Sequence, residues 1–152
     1  MVSWRDDASP QAQQDADMLL STVLEVAGQR LVADGGFYPF GAAYTAEGGD
    51  LVLLDGDPDL GDQPSTDDVL RSLQVGTEQR RDEYRSVALA ADVTDAVTGV
   101  DRTGVRVEIE HREGTALVLL VPYTRGPKGE LAYGEMEGAL ADRRVWADSR
   151  QE

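Results

Sequence analysis

The chain contains no cysteine, one histidine (His111), one lysine (Lys128) and no apolar run of membrane-spanning length. Each scarcity closes off a class of chemistry. Without cysteine there are no disulfides, thiolate metal sites, thiol nucleophiles or iron–sulfur clusters. With a single imidazole there is no histidine pair to share a metal ion. A spanning helix needs about 20 consecutive apolar residues, so no membrane helix is expected. The opening Met1-Val2-Ser3-Trp4-Arg5-Asp6-Asp7 lacks the basic-then-apolar order of a secretory signal. The expected location is the cytoplasm.

Basic residues are scarce too. Lysine and arginine total 14 against 29 aspartates and glutamates, a formal net charge of -15. Nucleic-acid affinity comes largely from cations displacing counterions, and the best basic candidate, Arg80-Arg81, is followed at once by Asp82-Glu83. Nucleic acid and anionic membrane are therefore disfavoured as partners; a basic protein is not. No cofactor is expected. Gly126-Pro127-Lys128-Gly129 is too short for a phosphate loop and runs into Glu130, and no Rossmann, Gly-x-Ser-x-Gly or His-Glu-x-x-His pattern occurs. Arginine in place of lysine, with abundant Ala, Gly, Val and Asp, fits the codon bias of a GC-rich bacterial genome.

What is present is an ordinary globular composition, 41% hydrophobic and 28% charged over 152 residues. That length suits one domain with its own core, here 1–152, with 1–8 and 148–152 expected to be poorly ordered. Ala16, Leu19, Leu20, Val23, Leu24, Ala27 and Leu31 recur at helical steps, behind Ser9 as cap and Pro10 as first helical residue. Asp34-Gly35-Gly36 stops this helix near Ala33. Phe37 to Tyr44 reads as a strand, Glu47-Gly48-Gly49 as a hairpin turn, and Leu51 to Leu54 as its return strand. After a loop from Asp55 to Pro64, Ser65 caps a second helix carrying Val69, Leu70 and Leu73 and running to about Asp82. Gly76 weakens it in the middle.

The second half reads as sheet. Tyr84 to Val97 is a long strand. Val105 to Glu110 alternates without a break, and Thr115 to Tyr123 has the continuous apolar run of a strand buried on both faces. Leu131 to Met136 begins a last strand or helix, and Glu137 to Glu152 suggests a short helix using Leu140, Val145 and Trp146. The expected fold is α+β: an antiparallel sheet of about five to six strands with two or three helices, ordered α-β-β-α-β-β-β and then a strand or helix. This element order is similar to that of roadblock-type and profilin-like domains, without their sequence motifs. The stretch Asp34 to Ala42, the alternating strand and the run ending Val121-Pro122-Tyr123 together resemble a family of small uncharacterised actinobacterial proteins. That resemblance spans most of the chain and implies no activity, ligand or site residue.

Candidate sites follow from residue type. His111 falls in phase with Val107 and Ile109 at a strand end. It reads either as a general base or metal ligand, or as a core-edge histidine with a local hydrogen bond, which is preferred. The face with Arg106, Glu108, Glu110 and Arg112 reads as solvated, with cross-strand charge pairing. Asp55, Asp57 and Asp59 alternate as in a calcium loop, but Leu60 replaces its glycine and Thr66 its bidentate glutamate. They remain weak metal candidates in what is otherwise an acidic turn. In Phe37-Tyr38-Pro39-Phe40, strand alternation places Phe37 and Pro39 on one side and Tyr38 and Phe40 on the other. Tyr38, Phe40, His111 and Tyr123 are the candidate binding residues, and no residue is assigned a catalytic role. The preferred function is a non-enzymatic binding or protein-interaction module, with a homodimer as one candidate assembly. The alternatives are an acidic inhibitor or immunity-type protein for a basic partner, and a carboxylate-dependent hydrolase or isomerase.

Overall fold

The computed structural model describes residues 8–95 and 102–146. Helix α1 spans Pro10–Asp34. The Ser9 hydroxyl accepts from the Ala12 N–H at 3.0 Å, and Pro10 occupies the first turn, where its missing N–H costs nothing. The helix stops at Gly35, whose φ of 84° is left-handed and whose N–H donates to the Leu31 carbonyl. Strands β1 (Phe40–Thr45) and β2 (Leu51–Leu54) form a hairpin. Gly48 and Gly49 both have positive φ at its turn, a conformation open to glycine without steric cost. A 3-10 turn at Pro58–Leu60 leads to α2 (Thr66–Gln79), capped by Ser65 through the Asp68 N–H. A second 3-10 turn at Arg81–Glu83 then enters β3 (Tyr84–Asp95). Strands β4 (Arg102–His111), β5 (Ala116–Arg125), β6 (Leu131–Tyr133) and β7 (Glu137–Leu140) complete the order.

The sheet runs β2-β1-β3-β4-β5, and β6 and β7 both pair with β5 along different parts of its length. Every pairing is antiparallel. Alternation along the strands divides the core between two faces. On one face Leu19, Val23, Ala27 and Leu31 of α1 meet Phe40, Ala42, Ala88, Ala90, Val105, Val107, Leu117 and Leu119. On the other, Val69 and Leu73 of α2 meet Ala43, Val87 and Leu89, with Trp146 against the same cluster. Each fully buried Val, Leu or Phe contributes about 1.5–3 kcal/mol. Small residues let β1 and β3 run close together: a Cβ on Gly41 would lie 2.7 Å from the Ala88 carbonyl oxygen.

The α+β antiparallel fold and the order of its elements match the sequence expectation, with seven strands and two α-helices. The differences are local. β1 starts at Phe40, so the pleat expected from Phe37 does not exist. Phe37 and Phe40 pack together, ring centroids 5.5 Å apart, instead of facing opposite sides. The second helix ends at Gln79, and Arg81–Glu83 forms a separate tight turn. β5 is buried on the α1 face, while Val118 and Leu120 opposite are only half-buried, because α2 lies over β1 and β3. The expected C-terminal helix is absent from the described tail: 137–140 is a strand on β5, and 141–146 is irregular chain. The expected extension of β3 to Val97 and the termini 1–7 and 147–152 lie outside the described residues.

Candidate functional site

The single histidine sits in a charged network under α1. His111 and Asp15 are each only 3% exposed. The Asp15 carboxylate accepts from Arg85 Nε at 2.9 Å and Nη2 at 3.0 Å, and from the Ser86 hydroxyl at 3.4 Å. His111 Nε2 lies 3.0 Å from Asp15 Oδ2, while His111 Nδ1 accepts the Glu113 backbone N–H at 3.1 Å. Because Nδ1 is an acceptor, the ring proton belongs on Nε2, where it donates to Asp15. The hydrogen bonds to Asp15 hold the Arg85 pKa above its ordinary value, against the smaller opposing effect of burial. Both imidazole nitrogens are thus committed to internal bonds. A cavity of about 450 Å³ near this end is lined by Ala8, Ser9, Glu113, Gly114, Thr115 and Ala116 among others, and His111 is not one of its lining residues. Ser9 and Glu113 hydrogen-bond each other beside it. The network ties α1 to the adjoining ends of β3 and β4; it presents no free base to a substrate.

The other sequence candidates do not converge. Phe40 is a core residue with the Arg30 guanidinium 4.6 Å from its ring centroid. Tyr123 belongs to the same core, and its hydroxyl donates to Asp92 at 2.8 Å. Tyr38 is exposed. His111 and Tyr123 lie at opposite ends of the sheet, since Gly104 pairs with Pro122 while His111 pairs with Ser86. At about 3.3 Å per residue, the eight residues of β4 between His111 and the position opposite Tyr123 separate them by roughly 26 Å. Asp57 caps the 3-10 turn by accepting the Asp59 N–H at 2.9 Å. Among the described residues, no three His, Asp or Glu side chains gather into a metal cage.

Glu110 has a role that its strand position concealed. The strand alternation assigns it to a solvated face, but it is 6% exposed. Its carboxylate accepts the backbone N–H groups of Arg144, Val145 and Trp146 at 2.8–2.9 Å. The chain after β7 therefore folds back as a strap over this face, with Val145 fully buried. Arg144 fastens it to α2 through the Gln74 carbonyl, the Thr77 hydroxyl and Glu78. Beyond the strap lies a shallow trough of about 440 Å³, lined by Val93, Arg106, Val118, Leu120, Glu137 and Ala139 among others. Its arginine is already paired with Glu108.

The outer edge of β2 has no neighbouring strand among the described residues. Thr45 N–H donates to the Asp50 carbonyl, so Thr45 and Asp50 are a hydrogen-bonded pair. Alternation makes Ala43–Val52 and Gly41–Leu54 the next bonded pairs. The N–H and C=O groups of Leu51 and Leu53 therefore point away from β1. Among the described residues nothing bonds them, and β2 ends the strand order. The side chains are apolar on both faces. Leu51 (44% exposed) and Leu53 (54%) share the α1 face with Tyr44 and Ala42, while Val52 and Leu54 pack toward α2. No lysine, proline or inward charge guards this edge, whose one protective feature is its four-residue length. The opposite edge is divided between two short strands and carries Glu137. Sequence reasoning placed β2 correctly but did not single it out, because only the strand order shows which strand is terminal.

Among the described residues, no helix is long and apolar enough to cross a membrane. Comparison with protein-family models, with curated proteins and with solved structures gives no match.

Proposed function

We propose that the protein is a non-enzymatic interaction module that binds another polypeptide by strand addition at β2. The observation that carries this reading is the free edge itself: outward backbone donors and acceptors at Leu51 and Leu53, with exposed leucines beside them. An added strand supplies the missing backbone bonds and covers both leucines, which is how peptide-binding sheet edges obtain affinity and register. The commitment of both His111 nitrogens supports binding over hydrolysis or isomerisation.

The edge is self-complementary in its register. In a two-fold antiparallel pairing centred on Val52, Leu51 exchanges backbone bonds with the partner's Leu53, and Leu53 with the partner's Leu51. The strand spans only Leu51–Leu54, and each copy carries a net charge of -15. Self-association is therefore weak and is promoted by salt, which screens the mutual repulsion.

The test is a peptide selection from a displayed random library, followed by mapping on isotope-labelled protein. Selected peptides should shift the amides of Leu51 and Leu53 and should lose binding to a Leu53→Lys variant. Because Leu53 is more than half exposed, that variant should keep its fold. Peptides that bind without moving those amides would place the binding surface elsewhere and defeat the proposal.

A further inference from the structure

Resting on the strand-addition reading, we infer that the partner of β2 is an extended segment with an apolar core and basic residues at both ends. The edge itself is neutral, Leu51 to Leu54, but its surroundings are not. Glu47 and Asp50 precede it, and Asp55, Asp57, Asp59 and Asp62 follow, all of them exposed. From residue 46 to residue 70 the chain has no lysine or arginine.

Two arginines of other elements that approach the strand are already engaged, while Arg71 of α2, next to the Ser72 hydroxyl that accepts the Asp57 N–H, is exposed. Arg80 shares a small cleft with Leu53, Leu54 and Asp55, but it makes a two-point contact with Glu83 at 2.9 and 3.2 Å. Arg85 approaches the hairpin turn at Gly49 and is held by Asp15. Among the described residues, no ion pair engages the carboxylates that flank β2. An incoming strand with arginine or lysine beyond each end of a four-residue apolar stretch would meet Asp50 at one end and Asp55 at the other. A second copy brings carboxylates there instead, so charge favours the basic segment over self-pairing.

The experiment compares three synthetic peptides sharing one Val-Leu-Val-Leu core, flanked on both sides by arginine, by serine or by glutamate. Binding is followed by amide shifts at Leu51 and Leu53 and by calorimetry. The arginine-flanked peptide should bind about 5–20-fold more tightly than the serine-flanked one, and the glutamate-flanked peptide more weakly than either. Raising salt from about 50 to 500 mM should remove most of that advantage. The variant Asp50→Asn with Asp55→Asn should remove it at low salt, while leaving the serine-flanked peptide unaffected. Equal affinities for all three peptides, with the β2 amides still shifting, would overturn the inference and leave strand addition standing. Failure of every peptide to shift those amides would overturn both. Tightening of the arginine peptide that survives the double Asn variant would place its cations elsewhere and also overturn the inference.

Discussion

Replacing Asp15 by alanine should be among the most damaging single changes at a polar position. Asp15 is 3% exposed and accepts two bonds from Arg85, one from His111 and a long one from Ser86. Hydrogen bonds involving a charged group contribute about 1.5–3 kcal/mol, and breaking a buried ion pair from one side costs about 3–5 kcal/mol. Arg85 keeps a quarter of its side chain exposed and can recover some hydration, so the lower part of that range applies. The expected loss is about 2–4 kcal/mol, read by urea denaturation at neutral pH with fluorescence and circular dichroism in parallel. For a domain of this size that corresponds to a fall in Tm of roughly 5–15 °C. Arg85→Ala should cost a similar amount, since the carboxylate it leaves is only 4% exposed but keeps His111 and Ser86, and the double variant should show a coupling of about 1–3 kcal/mol. Glu25→Ala, on the exposed side of the same helix, should change stability by less than about 0.5 kcal/mol. An Asp15→Ala loss below about 1 kcal/mol, or strict additivity with Arg85→Ala, would refute the view that this network fastens α1 to the sheet.

Three further outcomes are expected. Glu110→Ala leaves three backbone N–H groups of the strap without their acceptor and should cost about 2–3 kcal/mol; in a Trp4→Phe background it should shift Trp146 emission to the red, and an unchanged spectrum would show that the strap holds without Glu110. Burial raises the Tyr84 pKa above its ordinary value of 10.0. Its un-ionised phenol therefore gives stability that is complete below the unfolded pKa and is lost as pH rises through the folded one; Tyr84→Phe should flatten the alkaline stability profile, and an unaltered profile would count against this. Val52→Cys in this cysteine-free chain should form an intermolecular disulfide under mild oxidation at high salt, because two-fold pairing places Val52 opposite itself; Leu140→Cys, on the opposite edge, should cross-link at least tenfold more slowly, and equal rates would argue against β2 pairing.

Local signals were legible in the sequence wherever the physics is local. Helix α1 followed from its apolar spacing together with Ser9, Pro10 and Gly35, all of which act within one turn of the residues they cap. The β1–β2 hairpin followed from Gly48 and Gly49, and the alternation from Val105 to Glu110 placed β4. These features together determined the α+β class and the order of elements. Tertiary structure decided what depends on residues far apart in the chain. Asp15 meets Arg85 and His111 across 70 and 96 positions, so nothing in its helical neighbourhood marks it as buried and paired. Glu110 looked solvent-facing because alternation reports only that two faces differ; the strap covering the second face arrives from 34 to 36 residues later. Strand character was visible at Leu51 to Leu54, yet its standing as an unpaired edge came from β3 docking on the other side of β1 and leaving the outward groups of Leu51 and Leu53 to face away from the sheet. A strand's pattern records which side chains want burial, whereas its free hydrogen bonds depend on which strands lie beside it.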